Sequence, residues 1–143
     1  MYLISHRGNI SGKRPELENT PAYILAAIEQ GYMVEIDVWC DSGGLFLGHN
    51  GAALRTTPQF LKNPQLIIHA KNSAAIEPLQ YYNTHWFWHN TDDYTITSKG
   101  WVWAYPGKVK AGNNCIAVLP EIHNVDTKLF AGVCSDVIKQ YKQ

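Results

Sequence analysis

Cysteine is scarce in this sequence, and the few cysteines form no pattern of known chemistry. The three residues lie at positions 40, 115 and 134, an odd number at wide and unequal spacing. This arrangement argues against a disulfide framework and against a Cys-x-x-Cys metal motif. We therefore expect reduced thiols in a cytoplasmic protein.

An excess of either charge and long apolar runs are also missing. Lys plus Arg and Asp plus Glu both number 12, so no net field favours nucleic acid or an anionic membrane. No run approaches the roughly 18 apolar residues of a membrane span, and Met1 leads into an apolar strand with no signal segment. We expect no nucleic-acid partner, no membrane and no export. The 143 residues, 45% of them hydrophobic, predict a single domain over residues 1–143.

What the chain does contain is an acidic strand, predicted over residues 33–39. Gly31 precedes this β-rich run, and turn-forming residues 41–44 follow it. Side chains alternate along a strand, so Glu35 and Asp37 point to the same face. After the turn the chain returns and brings His49 near the end of the strand. Two oxygen donors beside an imidazole suit a divalent cation and proton transfer, although a solvated acidic face gives the same pattern.

A strand, a helix and a second strand make up the beginning of the chain. Residues 2–5 predict a short buried strand that presents His6 at its end, because Gly8 permits a sharp turn. Thr20 followed by Pro21 is typical of a helix start, and the apolar spacing that follows predicts a helix to about residue 30. This order is the unit of a parallel sheet.

Eight strands are predicted in all, apart from a hairpin arm at Leu45. They cover residues 2–5, 33–38, 66–70, 86–89, 94–97, 101–105, 115–119 and 132–135. Polar or ionisable residues gather at the carboxyl ends of most of them, where a parallel barrel builds its site. Several connections are too short for a helix. We therefore predict an α/β fold, a compact TIM (β/α)8-type barrel with several helices shortened or missing.

Four short motifs occur in a characteristic order. They are His6-Arg7-Gly8, Glu18-Asn19-Thr20, Glu35-Ile36-Asp37 and Gly48-His49-Asn50. Together they resemble the signature of the glycerophosphodiester phosphodiesterase family, phospholipase C-like phosphodiesterases whose fold is a TIM barrel. The clear resemblance covers residues 1–71, and a weaker one covers residues 101–103 and 132–136. The chain would be an unusually short member.

The resemblance implies an enzyme, a metal-dependent phosphoric diester hydrolase. Its substrate would be a glycerophosphodiester or a similar small phosphodiester with a neighbouring hydroxyl, which attacks first and forms a cyclic phosphate. His6 and His49 would be the acid and the base, in either order, and Glu35 and Asp37 would bind the metal. Arg7 and Lys71 would contact the phosphate.

Two positions depart from the family pattern. Where the family has Glu on its third strand this chain has His69, which is either the third metal ligand or a group behind the ligands. The family implies Mg²⁺ or Ca²⁺, whereas an imidazole shifts the preference toward Mn²⁺ or Zn²⁺. The other departure is Asn50, which replaces Asp and removes a charge.

Other candidates have a structural explanation beside the functional one. Glu18 either supports the site or orders its loop against Arg7, and His89 either joins the site or orders a strand end. Trp103 and Tyr105 either line the pocket for the alcohol or fill the barrel mouth. For the whole chain, the alternative function is a non-catalytic descendant that binds a phosphorylated ligand or a partner.

The aromatic residues after position 85 raise the question of assembly. With Phe87 facing inward, alternation turns Trp86 and Trp88 outward. Exposed apolar surface of this kind often marks contact with another chain. We therefore predict a homo-oligomer whose interface includes residues 86–105.

Overall fold

The computed structural model describes residues 1–105, 108 and 112–143, which form one strand-rich unit. Its strands are β1 (Tyr2–His6), β2 (Met33–Asp41), β3 (Gly44–Leu47), β4 (Leu54–Arg55), β5 (Leu66–Ala70), β6 (Trp86–Trp88), β7 (Tyr94–Ile96), β8 (Val102–Ala104), β9 (Cys115–Val118) and β10 (Gly132–Ser135). The α-helices are α1 (Pro21–Glu29), α2 (Pro58–Leu61) and α3 (Ile76–Tyr81). Short 3₁₀ segments span Ser73–Ala75, Pro120–Ile122 and Ile138–Tyr141. The eight predicted strands are therefore present, each within a residue or a few of its expected bounds.

All ten strands belong to one mixed sheet. Seven strands are parallel in the order β6-β5-β2-β1-β10-β9-β8, and β7 joins the end of this row antiparallel to β8. The hairpin strands β3 and β4 extend from the second half of β2, also antiparallel. The sheet curls so that its ends meet at single hydrogen bonds, one of which runs from the Ser98 N–H to the Trp86 carbonyl at 2.7 Å.

The predicted TIM barrel is wrong. The described residues form a curled, mixed half-barrel with three short α-helices instead of a parallel barrel inside a ring of helices. The connections explain the difference, since a parallel crossover needs about a dozen residues or more. Only residues 89–93 separate β6 from β7, and residues 97–101 separate β7 from β8. The chain therefore reverses direction at β7.

Two apolar layers follow from the alternation of side chains along the strands. The outer layer packs the helices on the sheet, with Ile24 of α1 against Val34 and Ile36 of β2. The inner layer fills the hollow of the curl and includes Ile4, Ile67, Phe87, Trp103, Ile116, Val118 and Cys134. None of the helices in the described part of the chain is long and apolar enough to cross a bilayer.

The start of α1 agrees with its sequence signals except in one detail. Thr20 occupies the N-cap position and Pro21 begins the helix, as expected. The Thr20 hydroxyl, however, donates to the Leu17 carbonyl at 2.7 Å and does not cap the helix. Thr57 does cap α2, because its hydroxyl accepts the Phe60 N–H at 3.2 Å.

The outward aromatic residues differ from each other in exposure. Trp86 is half-buried against the outer apolar layer, whereas Trp88 is 40% exposed. Tyr94 and Ile96 on the neighbouring β7 are exposed as well. A homo-oligomer that uses residues 86–105 stays a prediction.

The imidazole of His85 predicts a loss of stability in mild acid. Burial, together with the charge of Lys99, lowers the pKa of His85 to about 4. As the pH falls below about 6.5, the unfolded chain therefore takes up this proton before the folded chain does. The free energy of unfolding should be unaffected above pH 6.5 and should fall toward pH 4, by about 2 kcal/mol at pH 5.

Urea unfolding at pH 7 and pH 5 measures this effect. The variant His85→Gln should lose most of the difference between the two pH values, while a matched change at an exposed histidine, His123→Gln, should preserve it. An equal difference in His85→Gln and the unaltered chain would contradict the assignment.

Candidate functional site

An acidic pair and an imidazole meet on the inner face of the curled sheet. Asp37 of β2 is the register partner of His69 of β5, and His6 of β1 is the partner of Glu35. One ligand atom from each of Glu35, Asp37 and His69 lies within 4.8 Å of the other two. The predicted shared face of Glu35 and Asp37 is therefore observed, and neighbouring strands bring His69 to it.

Asp37 carries a charge where water does not reach it. Its side chain is fully buried. Its Oδ2 accepts from Asn19 Nδ2 at 2.9 Å and lies 3.0 Å from Arg7 Nε, while Oδ1 lies 3.7 Å from Lys71 Nζ. Burial alone would raise the pKa of Asp37, but His69, Arg7, Asn19 and Lys71 outweigh it and hold that pKa well below its usual range. Asp37 is therefore an anion.

Glu35 is buried with far less support. It is 3% exposed, and its Oε2 accepts no hydrogen bond from any described residue. His6 Nε2 lies 3.8 Å from that oxygen, beyond hydrogen-bond distance. Burial raises the pKa of Glu35, and the charge of Asp37 raises it further. A buried carboxylate in this position is costly until a cation reaches it.

These side chains fit a divalent metal ion. Glu35 Oε2 and Asp37 Oδ1 are both buried and lack a hydrogen-bond donor among the described residues. His69 Nδ1 lies 3.3 Å from Asp37 Oδ1 and 4.0 Å from Glu35 Oε1. Two carboxylates and one imidazole with free electron pairs are a known type of ligand set for metals.

His6 is held by a carboxylate that the sequence analysis missed. His6 Nδ1 and Asp136 Oδ1 are 2.7 Å apart, and Asn9 Nδ2 donates to the same oxygen at 2.8 Å. Burial lowers the pKa of His6, but the hydrogen bond to Asp136 and the charge of Glu35 raise it more. Asp136 directly follows β10, so the strand-end signal that marked His6 could have marked it too.

His49 lies on the exposed loop after β3. Its Nδ1 is 2.8 Å from Asn50 Oδ1, so the Asn in place of the family's Asp still bonds the ring. Partial burial lowers the pKa of His49, as does the charge of Arg7. The ring borders an open cleft of about 530 Å³ whose lining also includes Arg7, Lys13 and the buried Asn19. His49 therefore lines the same cleft as Arg7, and Arg7 is the residue of the two that contacts the buried Asp37.

Arg7 connects the cleft with the cluster. Its Nη1 donates to Glu18 Oε2 at 3.2 Å while its Nε faces Asp37, so Glu18 does order this side chain. The backbone of Arg7 has a φ of 56°, and that of Asn19 a φ of 59°. Left-handed backbone at residues other than glycine is uncommon and tends to cluster at functional sites.

The aromatic candidates from the second half of the chain lie in two places, the core of the sheet and the side of the site. Trp103 is buried and its ring stacks on Phe87 at 4.8 Å, so it fills the hollow of the sheet. Tyr105 is half-buried and stacks on His89 at 4.5 Å between ring centres. Burial raises the pKa of Tyr105, and so does the charge of Glu35. Tyr105 and His89 therefore form an aromatic wall beside the cluster.

The two carboxylates should affect stability in opposite directions. Asp37→Asn removes the partner of buried cations and should lower the free energy of unfolding by about 3 kcal/mol. Glu35→Gln removes an unsupported charge next to Asp37 and should raise it, because a raised acid pKa means that the ionised form opposes folding. Glu29→Gln, on the exposed end of α1, is the neutral control.

Urea unfolding in EDTA at pH 7 gives the free energy of unfolding of each of the three variants. A loss of stability in Glu35→Gln comparable to that in Asp37→Asn would show that Glu35 is as well compensated as Asp37, contrary to the geometry.

Comparisons with known proteins do not extend this description. No family model matches the chain, and neither a curated protein nor a solved structure matches it. The chemistry of the site is therefore argued from its side chains, their distances and their burial.

Proposed function

We propose that this protein is a metal-dependent phosphodiesterase that cleaves a small phosphodiester with a hydroxyl next to the phosphoester. The observation that carries the proposal is the continuity of the site. The carboxylate cluster lies beside the His6 and Asp136 pair, where His6 Nε2 is 3.8 Å from Glu35 Oε2. At the other side it touches Arg7, which borders the cleft of His49. The family resemblance of the four motifs implies the same chemistry.

The cluster answers the main obstacle to phosphodiester cleavage, which is the negative charge of the substrate. Glu35, Asp37 and His69 would hold a divalent ion, and such an ion neutralises developing charge and lowers the pKa of a bound oxygen. Arg7 and Lys71 contribute two further cations at this position, 3.0 and 3.7 Å from Asp37. Both retain N–H donors that can turn to phosphate oxygens.

Proton transfer falls to the two imidazoles. The substrate hydroxyl attacks phosphorus and gives its proton to one imidazole, while the bond to the leaving oxygen breaks and the other imidazole protonates that oxygen. The product of this step is a cyclic phosphate, which water opens in a second step. Asp136 accepts a hydrogen bond from the Nδ1–H of His6 and so presents Nε2 to the site.

The aromatic wall suits the alcohol part of the substrate. Tyr105 and His89 present stacked rings next to His69, whose ring centre is 6.3 Å from that of His89. Rings of this kind offer an apolar surface with polar edges. A small polar alcohol with a short carbon chain fits such a wall.

Hydrolysis of glycerophosphodiesters by the purified chain tests the proposal. Activity should require a divalent ion and disappear in EDTA. His6→Ala and His49→Ala should each reduce kcat by about 10²-fold or more, because each removes a proton-transfer group. His123→Ala, at an exposed position outside the site, should retain full activity.

Phosphorus NMR should follow both the cyclic phosphate and the phosphate monoester that water forms from it. The cyclic phosphate appears with internal attack and not with direct hydrolysis. Full activity in either variant would remove that histidine from proton transfer. If no phosphodiester is cleaved with any divalent ion while glycerol phosphate still binds, the non-catalytic alternative replaces the proposal.

Asp136 should act on the rate through His6. Asp136→Asn keeps the size of the side chain but removes the charge that orients the imidazole, and a comparable change in a catalytic His and Asp pair costs up to about 10⁴-fold in kcat. We expect a loss of about 10² to 10⁴ in kcat with little change in KM. Asp126→Asn, on an exposed loop, is the matched control.

A purely structural role for Asp136 predicts another outcome. In that case Asp136→Asn would lower the melting temperature, and the folded fraction would retain the original kcat. Such a result would remove Asp136 from the catalytic assembly.

A further inference from the structure

We propose that the site of Glu35, Asp37 and His69 binds Zn²⁺ and Mn²⁺ more tightly than Mg²⁺ and Ca²⁺, with Zn²⁺ the tighter of the first two. The inference deepens the proposed function by naming the class of ion. Only the catalytic role of that ion depends on the phosphodiesterase proposal, and its binding does not.

The orientation of the His69 ring is the first argument. His69 Nε2 lies 3.0 Å from the backbone carbonyl of His89, and a carbonyl oxygen can only accept. Nε2 therefore carries a proton, and in the neutral ring Nδ1 has a free electron pair. That pair faces Asp37 Oδ1 at 3.3 Å and Glu35 Oε1 at 4.0 Å. Three acceptors directed at one another need either a proton on Nδ1 or a metal ion between them, and the metal ion displaces the proton when it binds.

The contacts behind His69 are those of a metal ligand. Histidines that bind metals commonly donate the other ring N–H to a carbonyl or carboxylate, which fixes the tautomer and the direction of the ring. The His89 carbonyl has this role here. Phe87 stacks on the opposite side at 4.8 Å and 18°, so the ring is held before any ion arrives. Side-chain entropy is therefore lost on folding and not on binding.

The number of available oxygens is the second argument. Ca²⁺ takes six to eight oxygen ligands, whereas Mg²⁺ keeps several waters and needs only one or two carboxylates, so against Mg²⁺ it is the nitrogen of His69 in place of an oxygen that counts. Asp37 cannot offer both of its oxygens, because Oδ2 already contacts Arg7 and Asn19. The set is thus one nitrogen and a few oxygens, with open positions for water or phosphate. Zn²⁺ and Mn²⁺ accept such mixed sets, and Zn²⁺ binds nitrogen ligands more tightly than Mn²⁺ does.

The surrounding charges do not alter this order. Arg7 and Lys71 lie beside Asp37 and repel every divalent ion to the same extent. They weaken the affinity for all four ions alike. Selectivity therefore depends on the nature and number of the donor atoms.

Calorimetric titration of the EDTA-treated and desalted full chain measures the order directly. Zn²⁺ and Mn²⁺ should each bind with one equivalent, and Mg²⁺ and Ca²⁺ at least about tenfold more weakly, a difference of 1.4 kcal/mol. Co²⁺ provides a second signal, because its visible absorption reports nitrogen and oxygen ligation. Ca²⁺ or Mg²⁺ binding as tightly as Zn²⁺ would overturn the inference.

Exchange of the imidazole for a carboxylate tests the role of His69. His69→Glu should weaken Zn²⁺ by about tenfold or more and should strengthen Ca²⁺ or Mg²⁺. His69→Gln, which adds no charge, should weaken Zn²⁺ as well and serves if the Glu variant does not fold. His89→Gln is the matched control, because it removes a neighbouring imidazole and keeps the carbonyl that bonds His69.

The outcomes separate the two proposals. Zn²⁺ affinity that survives both His69 variants, or that is lost in His89→Gln alone, places the ion elsewhere and refutes the inference. Tight and His69-dependent Zn²⁺ binding without hydrolysis confirms the ion and refutes the phosphodiesterase. Hydrolysis supported best by Mg²⁺ or Ca²⁺, with weak Zn²⁺ binding, supports the phosphodiesterase proposal and refutes the inference about the ion.

Discussion

Asp37 places a carboxylate charge at a position that is fully buried, and the loss of hydration at such a position costs several kcal/mol unless partners replace the water. The partners come from three separate segments: Arg7 from the turn after β1, Asn19 from the loop before α1, and Lys71 from the residue after β5. Asn19 bonds both the side chain and the backbone N–H of Asp37. One charge thus holds the three segments that border the site.

Glu35 shows what this arrangement costs. It lies two residues before Asp37 on the same strand and receives no comparable set of partners from the described residues. A sequence under selection for stability alone would place a neutral residue there. Under the proposed function, a cation that binds the folded protein would offset this cost, because it converts an unfavourable buried charge into a ligand. The buried carboxylate of Glu35 therefore opposes folding, whereas that of Asp37 has the partners that make it part of the fold.

The curled sheet supports the site without a ring of helices. The parallel pairing among β1, β2, β5 and β10 stops near a common level, although β2 continues into its hairpin, so His6, Asp37, His69 and Asp136 converge. Phe87 stacks on the ring of His69, and Trp103 stacks on Phe87 and fills the hollow next to the cluster. Chemistry of this kind depends on the site and not on the complete architecture around it. The correction of the fold therefore leaves the chemical argument unchanged.

Local patterns in the sequence determined which residues form most of the strands, that Glu35 and Asp37 share a face, and that His6 stands at the end of a strand. These features follow from the alternation of side chains along a strand and from turn residues, both of which depend only on residues close together in the sequence. The short connections before and after β7 also indicate that the chain reverses direction there. The number of strands, however, favoured a parallel barrel. Only the tertiary structure decided that Asp136 binds His6 across 130 residues, that Asn19 holds Asp37, and that the His89 carbonyl orients His69. Partners so distant along the chain depend on the order and register of all strands in the sheet, and that order results from packing of the whole chain.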